Sequence, residues 1–103
     1  MAAKPFVFNN VKKELWNVSL KDGTKLILTP PSGYTLNAVN SLERETSFNP
    51  TAIYEMMAVI LSDNKQGVEV DREMLMKNYD LIDVNAFIEA WYEYVGEVQN
   101  QKN

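Results

Sequence analysis

Residues 14–29, ELWNVSLKDGTKLILT, decide between an all-helical chain and a mixed one. Trp16, Val18 and Leu20 fall at every second position, and so do Leu26 and Leu28 beyond Lys21-Asp22-Gly23. Period two marks a strand with one buried face. Two registers compete. A two-residue loop at Asp22-Gly23 would set Val18 against Ile27 and turn Leu26 and Leu28 toward Ser19 and Asn17. A three-residue loop at Lys21-Asp22-Gly23 pairs Leu20 with Thr24, Val18 with Leu26, and Trp16 with Leu28. Only the second gathers all five apolar side chains on one face. It also puts Gly23 at the left-handed position that such loops need. A hairpin alone is marginal in water, so this face must pack on helices.

Downstream, Pro30-Pro31 ends the strand, because proline supplies no ladder donor. A first helix is expected over about 34–45, with a thin stripe of Leu36, Val39 and Leu42. Asn49-Pro50 is a strong helix start, a side-chain cap followed by a residue suited to the first turn. The helix over about 50–62 carries Ile53, Met56, Met57, Ile60 and Leu61 on one face. Residues 63–67, DNKQG, form a polar loop. Asp71 caps a short helix over about 72–79, with Met74, Leu75 and Tyr79 inward. Asp80-Leu81-Ile82 turns the chain, and Asp83 caps a last helix over about 84–98. Val84, Phe87, Ile88, Trp91, Val95 and Val98 give that helix its buried stripe. It holds more aromatic surface than any other segment, so the remaining elements are expected to pack around it. Residues 100–103 are a polar tail expected to fray. Upstream, residues 1–12 form an irregular arm in which Phe6, Val7 and Phe8 suit a short edge strand, interrupted by Asn9-Asn10. A hairpin followed by four helices is an α+β layout, and 103 residues suit a single domain spanning 1–103.

Composition removes several chemistries. The chain has 46% apolar and 23% charged residues, ordinary for a globular protein. It lacks Cys and His, which removes thiolate catalysis, the usual general base and the commonest metal ligands. No glycine pattern cradles a phosphate, and no serine has a histidine for a triad. Neither an enzyme nor a cofactor is expected. The net charge of −4 argues against a nucleic-acid partner. No apolar run approaches the ~20 residues that span a bilayer, and MAAKPFVFNN is not built like a signal peptide. A soluble intracellular protein is expected.

Glu89, Glu93 and Glu97 repeat every four residues on one helical face. Three carboxylates can hold a hard cation, but a solvated face is the preferred reading, with no metal site assigned. Met56 and Met57 on the second helix, with Ile60 beside them, and Met74 and Met76 on the third offer adaptable apolar surface of the kind promiscuous binders use, against the plainer role of core filling. Trp91, Tyr92 and Tyr94 raise the same alternative. The stripe does not require both tyrosines, so at least one is expected at the surface. Met56, Met57, Ile60, Trp91, Tyr92 and Tyr94 are the candidate partner-binding residues.

Four stretches carry a resemblance: LKDGTKLIL at 20–28, TPPS at 29–32, AVILSDNKQGVEV at 58–70 and LIDVNAFIEAWYEYVGEVQNQKN at 81–103. Their order resembles the small tail assembly chaperones of long-tailed phages and prophages. The resemblance covers most of the chain as a pattern of elements, without a signature motif. It implies a non-enzymatic protein of the bacterial host cytoplasm, absent from the mature virion. Such a protein binds the tape measure protein, a long apolar helical chain, and keeps it soluble until tail-tube protein polymerises around it. Self-association is often part of that task. The family also often makes a longer form by ribosomal slippage, and Gln101-Lys102-Asn103 can be encoded by an unbroken adenine run. Rival readings are a structural virion component, such as a head–tail or tail-completion protein, and an adaptor or regulator unrelated to phages.

Overall fold

A computed structural model describes residues 3–47 and 49–100. Two antiparallel strands, β1 (Trp16–Ser19) and β2 (Lys25–Leu28), precede four helices: α1 (Gly33–Glu43), α2 (Pro50–Ser62), α3 (Arg72–Asn78) and α4 (Leu81–Gln99). The α+β layout therefore stands. The hairpin pairs Trp16 with Leu28 and Val18 with Leu26. The Leu20 amide donates to the Thr24 carbonyl at 2.8 Å, closing the three-residue loop. Gly23 has φ +91°. A side chain there would be strained, and Gly23→Ala should cost about 1 kcal/mol or more.

The inward hairpin face is buried as the alternation requires, with Leu26 and Leu28 fully covered. Each such side chain contributes about 1.5–3 kcal/mol. Trp16 stacks between Phe87 (5.6 Å) and Tyr94 (5.3 Å) of α4. The outer edge of β2 is closed by the loop after α2. There Lys65 N–H donates to Ile27 O, and the Gln66 amide group bonds both Ile27 N–H and Lys25 O. This polar loop does structural work, because an unpaired edge would be open to another chain.

The helix that joins the others is α2, which packs on α1, α3 and α4. Ala52, Met56, Met57, Ala58, Ile60 and Leu61 are all buried along it. The expectation that the last helix organises the rest is corrected here. Helix α4 is richer in aromatics, but α2 is apolar around more of its circumference and so can meet three neighbours.

Caps decide where the helices begin. Asn49 accepts from Thr51 N–H with Pro50 in the first turn, and Asp71 accepts from Glu73 N–H. Ser32 caps α1, which starts at Gly33 and ends at Glu43. Its inward residues are Thr35, Val39 and Leu42, while Leu36 lies at the surface. Thr35 is drawn in by a hydrogen bond from its hydroxyl to Asp63 Oδ2 at 2.9 Å. The start of α4 also differs from expectation. Asp80, not Asp83, is the N-cap, and Asp83 completes a reciprocal capping box from the third position. Leu81 and Ile82 are therefore helical. In the arm, Phe8–Asn10 form one 3-10 turn in place of an edge strand. Asn100, the first residue of the expected frayed tail, is the C-cap of α4 and its N–H donates to Glu97 O at 3.2 Å; the rest of the tail and the slippage site, 101–103, lie outside the described residues.

Candidate functional site

Of the six side chains expected to meet a partner, five belong to the core. Met56, Met57, Ile60, Trp91 and Tyr94 are at most 5% exposed. The core-filling role holds for them in this conformation, and they offer no surface to a partner. Tyr92 alone is at the surface, 41% exposed. Burial first, and then the Glu43 carboxylate at the end of α1, raise its pKa. Tyr94, two residues on, turns inward. Its hydroxyl donates to the Glu14 carbonyl at the root of the arm. Burial first, then Glu14 and Asp63, push its pKa up to about 12. One of the two tyrosines is thus exposed, as the width of the stripe required. Glu89, Glu93 and Glu97 all face solvent.

Among the described residues, six of the eleven exposed large apolar side chains gather at two places; the others, Tyr34 at 83% exposed among them, lie outside these two. The first is the corner where α3 turns into α4. Met76, Leu81 and Ile82 are 40%, 50% and 80% exposed. They line one open concavity of about 660 Å³, floored by Tyr54 and Tyr79 and rimmed by Lys21, Lys77 and Asp80. Leu81 continues the α4 stripe by spacing, yet half of it stays in water.

This corner is tied to the body by α2 and by the hairpin loop. Tyr54 OH donates to Tyr79 O at 2.8 Å, which joins α2 to the end of α3. Lys21 N–H, from the hairpin loop, donates to Tyr79 OH at 3.0 Å. The Lys21 ammonium donates to Asn78 O at 3.0 Å and to Asp83 Oδ2 at 2.7 Å, and lies 4.9 Å from the Tyr79 ring centroid. The Asp80–Asp83 capping box fixes the first turn of α4. Asp83 is held below the usual carboxylate range, first by the Lys21 ammonium and then by the Asp80 amide. The Lys21–Asp83 pair is itself solvent-exposed, so it acts through geometry more than through charge. A preformed apolar surface loses little entropy when a partner docks.

The second place is the arm. Phe6, Val7 and Phe8 are 71%, 49% and 80% exposed. Phe6 and Phe8 meet edge to face, 4.8 Å apart, over an opening that Val11 and Lys13 share. Backbone bonds from Asn10 N–H to Val7 O and Val11 N–H to Phe8 O shape the arm locally.

The sequence pattern raises Met76 as adaptable surface but misses Leu81 and Ile82, because a cap at Asp83 places both in a turn. The available signal was Asp80 three residues before Asp83, which permits a reciprocal box. The arrangement offers apolar docking. Among the described residues no three carboxylates converge on a cation-sized space, and no helix is long and apolar enough to cross a membrane. No family model matches the chain, and neither a curated protein nor a solved structure matches it.

Proposed function

We propose that this protein is a small tail assembly chaperone of a long-tailed phage or prophage. It acts without catalysis in the host cytoplasm, binding apolar helical segments of the tape measure protein and releasing them as tail-tube protein assembles. The observation that carries the reading is the α3–α4 corner, where Met76, Leu81 and Ile82 stand in water on a hydrogen-bonded frame. A contiguous exposed apolar patch rimmed by polar residues is the usual mark of an interaction site. A shallow concavity with a methionine and two aliphatic side chains suits the apolar stripe of a helix. The hairpin-then-helices layout agrees with the resemblance described above. Lys21, Lys77 and Asp80 on the rim supply charges that orient a client without adding much affinity.

The test is co-expression with the tape measure chain encoded nearby. The expected result is a rise in that chain's soluble fraction and a complex that survives gel filtration. Unchanged solubility would remove the reading. Recovery of this protein from purified particles would favour the rival reading of a structural virion component.

A further inference from the structure

The two edges of the hairpin differ. Leu20 N–H is bonded to Thr24 O, and an antiparallel ladder alternates, so Val18 and Trp16 also turn their main-chain groups toward β2. Asn17 and Ser19 turn theirs away. Opposite them on β2, Ile27 and Lys25 meet the loop after α2, where Ile27 engages both its N–H and its carbonyl and Lys25 its carbonyl. The β1 edge has no such cover. Among the described residues nothing is bonded to the main chain of Asn17 or Ser19, and both residues are exposed.

Burial also stops at this edge. Leu26 and Leu28 of β2 are fully covered, whereas Trp16, Val18 and Leu20 opposite are only partly so. Leu15, just before β1, is 42% exposed. A further strand beside β1 would cover the open flanks of Trp16 and Val18 and give partners to the edge groups. Charge selects the composition of that strand. Residues 12–25 hold four lysines and two carboxylates, a net of +2 in a chain of −4. Asp22, one of the two carboxylates, is turned onto Thr24 N–H within the loop. The hairpin is therefore a basic edge on an acidic protein.

We infer that the β1 edge takes up an extended acidic segment of a different protein as a third strand. The main chain of that segment pairs with Asn17 and Ser19. Its apolar side chains, at alternate positions, pack inward beside Trp16 and Val18, and the acidic side chains between them face outward, near Lys13 and Lys25. Main-chain bonds supply affinity in this mode, and the alternation supplies specificity. The edge is only four residues long and flanked by lysines, features that discourage two like edges from pairing. A second copy is thus a poor occupant and an acidic strand a good one. The inference does not rest on the chaperone reading.

The probe is a heptapeptide of alternating glutamate and valine, blocked at both ends, titrated into the full chain and followed by amide NMR. The Asn17 and Ser19 amides should shift saturably and gain protection from hydrogen exchange. Two N-methylated forms, one methylated on the glutamates and one on the valines, separate strand addition from charge attraction, because only alternate N–H groups of an added strand face β1. One form should bind about tenfold or more weakly, and the other like the unmodified peptide. Asn17→Pro, with wild-type circular dichroism, should also bind about tenfold or more weakly, since the Asn17 N–H serves the edge and not the β1–β2 ladder. A lysine–valine heptapeptide should bind several-fold more weakly than the acidic one, a gap that closes as salt rises from about 0.1 M to about 1 M. Absence of saturable binding, or equal binding by the two methylated forms, would overturn the inference. So would protection of Asn17 and Ser19 without peptide, which would place the chain's own arm or a second copy on the edge.

Discussion

The two exposed apolar regions, the arm and the α3–α4 corner, present similar side chains on opposite kinds of scaffold. Met76, Leu81 and Ile82 sit above Tyr79, which is buried and bonded to both α2 and the hairpin loop. Phe6 and Phe8 rest on a single local turn. Set side by side, they show that the aromatic content of an element does not tell how much apolar surface it leaves in water. The aromatic-rich α4 spends Trp91 and Tyr94 on the core. At the corner the apolar side chains left in water are aliphatic and stand on a hydrogen-bonded frame; in the arm they are mainly aromatic and stand on one local turn. A rigid site binds with little ordering cost, whereas an arm loses conformational freedom when it docks.

The largest expected effect comes from breaking the corner's frame. Tyr79→Ala should cost about 3 kcal/mol or more, lowering the melting temperature by roughly 12–20 °C. Tyr79→Phe, which removes only the acceptor for Lys21 N–H, should cost about 1 kcal/mol. Thermal melts of the pair check this, and a Tyr79→Ala protein as stable as wild type would show that the corner is not held as described.

The root of the arm gives the next effect. Tyr94 is neutral in the fold up to about pH 12, but an unfolded tyrosine ionises near pH 10. A raised folded pKa means stability is complete below the unfolded value and falls as pH climbs through the interval. The loss should be on the order of 2 kcal/mol by about pH 12. Tyr94→Phe has no such proton to lose, so its melting temperature should fall less than that of wild type between about pH 9 and pH 11. Parallel curves for the two proteins would contradict the buried hydroxyl.

At acid pH the corner should weaken with the opposite sign. Asp83 has a lowered pKa, so its contribution is present above the ordinary carboxylate value of about 3.9 and is lost as pH falls through the lower, folded value. The pair is exposed, so the expected change is small. Asp83→Asn should flatten it, and melts from about pH 5 downward read it. The smallest effect belongs to the arm. Phe6→Ala/Phe8→Ala removes two aromatic rings yet should change monomer stability by no more than about 0.5 kcal/mol. A larger loss, measured by urea unfolding at low protein concentration, would place the arm in the core.

The sequence made the hairpin fully legible because period two, one glycine and a loop length together admit a single register. The α2 and α3 caps are equally plain: Pro50 directly after Asn49 favours it over Thr46 and Ser47, and Asp71 has no competitor nearby. At α4, Asp80 and Asp83 are both good caps, and only their reciprocal bonding decides between them. The choice moved Leu81 and Ile82 from a turn to a helix and hid the corner. Tyr92 and Tyr94 could not be separated locally either. Tyr94 turns inward to bond a carbonyl 80 residues away, a contact that helical spacing does not encode. Leu36 lost its expected place to Thr35 for a similar reason, the bond from Thr35 to Asp63 on another helix end.

The most direct test sets the two regions against each other in one assay. The soluble fraction of the co-expressed tape measure chain is measured with wild type, with Leu81→Glu/Ile82→Glu, and with Phe6→Ala/Phe8→Ala, each checked for native circular dichroism. If the corner holds the client, the corner variant should lose most of the solubilising effect, and the arm variant should keep it. Full solubilisation by the corner variant, with loss only in the arm variant, would contradict the assignment of the client to the α3–α4 corner.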